Sequence, residues 1–151
     1  MSAVAVLLYV FTMPMTTLTS FAEEYQCGTG SDPVAIECYT GEVKEFLQSW
    51  VVAWGNGDAE AYMDHYVPFG SPRINQSRDD WENERRQRLE QTLGIVVTLE
   101  LDSMGIGKDG ELDVIFTQSY RSGNYSDVVK KQLFLERSLN GLRIKREITL
   151  D

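Results

Sequence analysis

Five polar side chains lie where the hydrophobic pattern of the chain predicts a buried face. They are an amide, two phenols and two cations: Gln118, Tyr120, Tyr62, Lys131 and Arg146. Gln118 and Tyr120 continue the alternating apolar face of one predicted strand, whereas Lys131 and Arg146 interrupt the apolar faces of the next two. Tyr62 belongs to a helix that precedes the strands. Because such groups hydrogen-bond to polar molecules and pair with anions, they predict a half-apolar pocket for a small polar or anionic ligand.

A second interpretation of the same residues needs no ligand. Alternation that fades toward the rim of a sheet leaves polar side chains near water, and Lys131 and Arg146 have apolar stems long enough to reach it. The sequence leaves both interpretations open.

The predicted pocket contains no evident general base, so we predict no catalytic residue. Asp64 and His65 resemble an acid–base pair, but neighbouring side chains in a helix point about 100° apart. In the alternative in which the chain is a small isomerase or dehydratase, one of these two is the base and Tyr120 the electrophile. One histidine and two cysteines are few for a metal cage, so we expect neither a metal nor another cofactor.

The helices that must position these side chains come first in the chain. A helical apolar stripe predicts the first over residues 43–54, and the following Gly-Asn-Gly ends it. The second is predicted over residues 59–66, with Asp58 as its cap. The third is predicted over residues 77–93 and opens on a capping box in which Asp replaces the usual Glu or Gln.

The strands follow, because the hydrophobic period changes from about 3.6 to about 2 after the third helix. They are predicted over residues 95–101, 112–120, 127–137 and 142–148. Asn140-Gly141 is a strong hairpin turn between the last two. Helices followed by an antiparallel meander predict an α+β fold, a cone-like barrel in which three helices pack on a curved antiparallel sheet.

Length and charge restrict the class of protein. A chain of 151 residues is enough for one domain. Acidic residues outnumber basic ones 23 to 14, a net charge of −9. This balance disfavours nucleic acid and anionic membrane surfaces as partners, because both need clustered Lys and Arg.

The amino-terminal residues have the pattern of an export signal. Residues 1–22 carry no charged side chain and end on small residues, which predicts a signal peptide cleaved after Ala22; a retained anchor helix is the alternative. Residues 23–42 form an acidic lead-in that contains Cys27 and Cys38. In an oxidising compartment we expect these two to form a disulfide. The predicted location is periplasmic or secreted, without membrane association after cleavage.

Several segments of residues 43–149 together resemble the nuclear transport factor 2-like (NTF2-like) superfamily. More narrowly, they resemble the carboxy-terminal domain of periplasmic L,D-transpeptidase-type cell-wall enzymes. The segments are residues 46–54, 57–62, 116–122, 125–128, 131–133 and 142–147. The catalytic Cys motif of those enzymes belongs to a separate domain and is missing here. The resemblance therefore implies only an accessory domain, with Tyr62, Gln118, Tyr120 and Lys131 as pocket candidates.

Together these observations predict an exported, non-catalytic domain that binds a small ligand. The resemblance implies peptidoglycan-derived fragments as that ligand. The main alternative is a homodimeric protein-interaction module without a ligand, paired through its exposed sheet face, and a homodimer is expected in either case. The enzyme described above is the third possibility.

Overall fold

The computed structural model describes residues 33–107 and 109–150, with side chains from residue 36 onward. The predicted signal segment and Cys27 lie outside these residues, so cleavage after Ala22 and the disulfide to Cys38 stay predictions. Three helices precede four strands. The α+β architecture expected from the sequence is therefore confirmed at this level. None of the described helices has the length and apolar character needed to cross a bilayer.

Helix α1, Pro33–Gly55, carries the apolar stripe predicted from its spacing. Val43, Leu47 and Trp50 are buried on this stripe. The helix begins ten residues before the predicted start at residue 43. Proline suits the first turn of a helix because its missing N–H has no helical acceptor there, but residues 33–42 lack the apolar stripe that would have revealed them.

The chain turns tightly between α1 and α2, Ala59–Met63. Gly57 has a φ of +68°, and a Cβ at this position would lie 3.3 Å from the carbonyl oxygen of Leu89. Asp58 caps α2 as predicted, since its Oδ1 accepts a hydrogen bond from the Ala61 N–H at 3.0 Å. Substituting Gly57 would therefore disturb both the turn and the approach of the third helix.

Helix α2 ends earlier than the predicted residue 66 because the chain joins the last strand. The Ile144 N–H donates to the His65 carbonyl at 2.7 Å, and the Val67 N–H donates to the Ile144 carbonyl at 3.0 Å. These bonds compete with the helical pattern and replace it. Helix α3, Arg78–Gln91, opens on the predicted capping box: the Ser77 side chain accepts from the Asp80 N–H.

The strands form one antiparallel sheet in sequence order. They are β1 (Val96–Ile106), β2 (Leu112–Ser122), β3 (Tyr125–Ser138) and β4 (Gly141–Leu150). Strand β1 continues past the predicted residue 101 because its register shifts between Leu101 and Ser103, which disturbs the alternation on which the prediction rested. The inner face of the sheet and the apolar sides of the helices share one core around Trp50 and Phe116.

A bulge in β4 corrects the prediction for Arg146. Phe134 pairs with Arg146 and Leu135 with Ile144, so Lys145 is the extra residue. After the bulge the alternation changes phase, and Glu147 takes the inner face while Arg146 is exposed on the outer one. The Arg146 guanidinium lies 3.8 Å from the centroid of the Phe134 ring. The expectation that Arg146 shares a face with Ile144 is therefore wrong.

Candidate ligand-binding site

A cavity of about 490 Å³ lies between α3 and the inner face of the sheet. Helix α1 contributes Trp54 to its lining. The loop before α3 contributes Arg73 and is held against β4, because the Glu147 N–H donates to the Pro72 carbonyl at 2.9 Å. A cavity of this size suits a small molecule.

The lining of the cavity carries four cationic side chains and one acidic one. The cations are Arg73, Arg85, Arg88 and Lys131, and the acid is Asp127. This positive lining contrasts with the net charge of −9 of the whole chain. Like charges that line a cleft with low-dielectric walls focus the field and attract the opposite charge. Arg88 and Arg73 share Glu84, at 2.7 and 3.9 Å, and Lys131 and Arg85 share Glu147. Two carboxylates for four cations leave a positive excess, which suits the cavity to an anionic ligand.

A buried carboxylate, that of Glu147, pairs with two of the cations that line the cavity. Lys131 Nζ donates to Glu147 Oε1 at 2.5 Å, and Arg85 Nη2 lies 3.8 Å from the same oxygen. The Tyr66 hydroxyl donates to Glu147 Oε2 at 3.1 Å and is itself 2.8 Å from the Tyr62 hydroxyl. This network fixes the positions of the two buried cations relative to the sheet.

The charge states of this network follow from burial and pairing. Burial alone would raise the pKa of Glu147, but Lys131 and Arg85 outweigh it and lower this pKa to about 2. Burial raises the pKa of Tyr62, and burial together with the Glu147 charge raises that of Tyr66. At neutral pH one carboxylate thus faces two buried cations, which leaves an excess of positive charge beneath the cavity.

Two of the lining side chains have buried polar atoms without hydrogen-bond partners. Arg85 is 3% exposed and Gln118 5% exposed. Arg85 Nε and Nη2 and Gln118 Oε1 make no hydrogen bond in the part of the chain that the structure describes. Buried polar groups are rarely left in this state unless water, an ion or a ligand satisfies them. Arg85 and Gln118 are therefore the candidate contacts for a polar ligand in this cavity.

An aromatic wall completes the cavity. The ring centroids of Trp54 and Tyr120 are 5.8 Å apart, and those of Tyr120 and Tyr125 are 6.0 Å apart. The ammonium of Lys131 lies 5.9 Å from the Trp54 ring. The wall offers an apolar surface in the same cavity as the arginines of α3, so the cavity suits a molecule with both an anionic group and an apolar part.

The structure brings together three of the five predicted site residues. Gln118, Tyr120 and Lys131 line the cavity, whereas Tyr62 lies in the network below it. Arg146 lies outside, because of the bulge in β4.

Sequence reasoning missed Arg85, although a signal for it exists. Arg85 lies between Trp81 and Leu89 at helical i, i+4 spacing, on the only buried stripe of α3. Arg85 is a cation at a buried position of an apolar helical stripe, as Lys131 is a cation at a buried position of an apolar strand face. Arg73, Arg88, Tyr125, Asp127 and Glu147 were also missed, and the phase change that brings Glu147 inward has no sequence signature of comparable strength.

Asp64 and His65, the bases of the enzyme alternative, do not line the cavity. His65 Nδ1 lies 2.7 Å from the Ala61 carbonyl, and His65 Nε2 lies 2.8 Å from Ser49 Oγ. Because the carbonyl can only accept, His65 donates from Nδ1 to Ala61. The Ser49 hydroxyl has one proton and also lies 2.8 Å from the Phe46 carbonyl, so neutral His65 accepts at Nε2 when this proton turns from Phe46 to the ring. The histidine thereby links α1 to the end of α2.

We predict that His65 titrates below its ordinary pKa of 6.5, because burial, followed by the positive charge of Arg143, outweighs its helix carbonyl bond. The unfolded chain then binds the proton more readily, so the histidine's contribution to stability is present above pH 6.5 and lost as the pH falls toward its folded-state pKa. An NMR titration of the imidazole measures the shift. In His65→Gln the free energy of unfolding should vary less between pH 7 and pH 5; an unchanged slope would contradict the assignment.

Comparison with known proteins places the fold. Residues 42–148 match the family model described as the Cds6 C-terminal NTF2-like domain. The chain belongs to this family. The superfamily resemblance expected from the sequence is thereby confirmed, whereas the narrower resemblance to L,D-transpeptidase-type enzymes stays a prediction.

Solved structures agree with this fold. An NTF2-like protein of unknown function from Shewanella oneidensis has a TM-score of 0.65 at 15% identity, covering 75% of this chain and 99% of that one. Bd1075 from Bdellovibrio bacteriovorus has a TM-score of 0.63 at 22% identity, covering 79% of this chain but 44% of Bd1075. The helical cell shape determining protein Pgp2 from Campylobacter jejuni, as its K307A mutant, has a TM-score of 0.58 at 15% identity, covering 70% and 39%. No curated protein is similar enough in sequence to be matched to this chain. The chain thus spans less than half of Bd1075 and Pgp2, and at these identities the likeness shows the fold alone.

Proposed function

We propose that this Cds6 C-terminal NTF2-like domain is a non-catalytic accessory domain that binds a small anionic ligand in the cavity between α3 and the sheet. The observation that carries the proposal is Arg85, a buried cation that lines the cavity and whose Nε and Nη2 make no hydrogen bond among the described residues, although Nη2 lies 3.8 Å from Glu147 Oε1. A charged hydrogen bond to a carboxylate or phosphate would satisfy them.

The ligand source we propose is the cell wall. The sequence resemblance to cell-wall enzymes supports this source, as does the likeness in fold to part of a protein described as determining helical cell shape. The predicted signal peptide is consistent with a periplasmic or secreted domain that meets such fragments.

The homodimer predicted from the sequence stays a prediction, and light scattering at several protein concentrations measures it.

A thermal-shift series tests the binding proposal. We expect muropeptides and small carboxylates to raise the melting temperature with concentration, because a ligand that binds only the folded state stabilises it. Neutral sugars of similar size should have little effect. Raising the salt concentration should weaken binding, since the exposed cations of the cavity are screened.

Two matched arginine substitutions locate the binding site. Arg85→Met should weaken binding at least tenfold, about 1.4 kcal/mol, whereas Arg146→Met should change it less than twofold, because Arg146 lies on the outer face of the sheet. Affinities are to be compared between variants that melt cooperatively. No shift with any anion, or equal losses in the two variants, would contradict the proposed site.

A further inference from the structure

The acidic residue in the lining of the cavity, Asp127, is not explained by anion binding. Asp127 is half-buried on the inner face of β3 and faces the same cavity as the four cations. Within residues 33–107 and 109–150 it has neither an ion pair nor a side-chain hydrogen bond. A carboxylate in this position repels the anion that the arginines attract, unless the ligand also carries a positive charge.

The aromatic residues beside Asp127 favour a positive charge at the same place. Tyr120 pairs with Asp127 across β2 and β3. Tyr125, which is 60% exposed, is in ring contact with Tyr120 and lines the cavity. The faces of tyrosine rings attract an ammonium group. This end of the cavity therefore has the chemistry of an amine site.

The opposite end of the cavity holds the buried cations. Lys131 lies four residues after Asp127 on the same face of β3, so their backbones are about 13 Å apart at the rise of an extended strand. Arg85 and Lys131 both approach Glu147 Oε1, at 3.8 and 2.5 Å. Lys131 and Asp127 thus enter the cavity from backbone positions about 13 Å apart, which is farther than the distance between the ammonium and the carboxylate of a single amino acid.

The orphaned amide oxygen lies between these ends. Gln118 pairs with Val129, midway between the pairs formed by Lys131 and by Asp127. Its Oε1 has no hydrogen-bond partner among the described residues. The oxygen and nitrogen of a Gln amide exchange places by rotation of the side chain, and with the oxygen turned toward the cavity Gln118 accepts from a donor such as the N–H of an amide in the middle of the ligand. The order along the cavity is cation, amide acceptor, acid.

From this order we infer that the ligand is a short, extended, zwitterionic peptide, whose carboxylate meets Arg85 and Lys131, whose amide N–H meets Gln118 and whose ammonium meets Asp127. The inference rests on the proposed function and names its ligand class. An extended chain spans at most about 3.3–3.6 Å per residue, so three or four residues fit the separation. Trp54 and Tyr120 pack against the backbone of such a peptide.

The test uses three achiral probes that differ only at their ends: triglycine, N-acetyltriglycine and triglycine amide. NMR titration of the isotopically labelled full chain gives a Kd for each probe and reports which residues shift. We expect triglycine to bind at least fivefold more tightly than N-acetyltriglycine, which lacks the ammonium. We expect it to bind at least tenfold more tightly than triglycine amide, which lacks the carboxylate.

Asp127→Asn provides the matched variant. It should reduce the ratio between triglycine and N-acetyltriglycine to less than twofold while leaving the affinity for N-acetyltriglycine unchanged or improved. Asp102→Asn is the control, because Asp102 pairs with Lys130 at 3.0 Å, outside the residues that line the cavity. It should leave the ratio as it is in the unaltered chain.

The outcomes separate this inference from the proposed function. If N-acetyltriglycine binds as tightly as triglycine, or if glutarate binds and triglycine does not, the zwitterion inference is overturned and the anion site stands. If no probe and no anion in the thermal-shift series binds, both are overturned. A fivefold preference that Asp127→Asn does not alter places the ammonium elsewhere and overturns the role of Asp127.

Discussion

Replacing Glu147 with Gln should destabilise the fold by about 3–5 kcal/mol, because the change leaves Lys131 and Arg85 buried without a counter-charge. These cations are 6% and 3% exposed, and Glu147 is the carboxylate that both approach. Urea denaturation measures the change, with the slope of the free energy against urea concentration as the check that both variants unfold alike.

Glu111→Gln is the control for this substitution. Glu111 accepts from Lys145 Nζ at 3.1 Å in a partly exposed pair, and such pairs contribute at most about 1 kcal/mol. Adding Lys131→Met to Glu147→Gln should recover at least half of the loss, because it removes one of the two uncompensated charges. A loss below about 1 kcal/mol in Glu147→Gln would show that the cations reach water.

Acid should affect the same group. The folded-state pKa of Glu147 is lowered from 4.5 to about 2, so its contribution to stability is present above pH 4.5 and is lost as the pH falls from 4.5 toward 2. In Glu147→Gln this part of the pH dependence should be missing.

Trp50→Ala should cost about 3–5 kcal/mol, the usual range for removing a large buried aromatic side chain. Trp50 is fully buried at the centre of the aromatic core, with ring centroids 5.4 Å from Trp54, 5.9 Å from Tyr62 and 6.3 Å from Phe116. It joins α1 to α2 and to the sheet, so the cavity left by alanine would open where three elements meet. Urea denaturation measures the loss in the free energy of unfolding. Thermal unfolding should show a drop in melting temperature of about 10 °C or more.

Two further substitutions test whether the loss in Trp50→Ala comes from the buried volume of the ring. Trp50→Phe should cost clearly less than Trp50→Ala, because Trp50 Nε1 has no hydrogen-bond partner to lose among the described residues. Val52→Ala, on the exposed side of the same helix at 49% exposure, should change stability by about 0.5 kcal/mol or less. Alanine has the higher helix propensity at both positions, so similar losses in Val52→Ala and Trp50→Ala would contradict burial of Trp50 as the cause of the effect.

Much of this fold follows from hydrophobic periodicity. The stripe of α1 and the alternation of β2 are strong because each element buries one face. The start of α3 is predictable because the Ser77 side chain bonds to a backbone N–H only three residues away. The ends of elements follow less well from the sequence. Helix α2 stops at Met63 because His65 and Val67 bond to Ile144 in β4, and a contact with a residue so distant in sequence leaves no trace in the local pattern.

The candidate site shows the same division. Gln118, Tyr120 and Lys131 are predictable because each is polar in a strictly alternating strand, and all three line the cavity. Arg146 and Glu147 exchange faces because β4 holds one extra residue opposite Phe134. Asp127 could not be identified as a site residue from its strand alone. It is a candidate only because the same cavity holds cations from α3 and the preceding loop, which the pattern of β3 does not reveal.

The bulge in β4 also determines how the cavity can change in evolution. A point substitution in this strand alters one group, but loss of the bulge with all residues kept would give Lys145 a regular place in the ladder and exchange the inner and outer sets of side chains beyond it. Arg146 would then turn inward and Glu147 outward, so that the buried cations lose their carboxylate and gain another cation. The bulge is therefore a device by which related domains can change the net charge of their cavities while the rest of the sheet is retained.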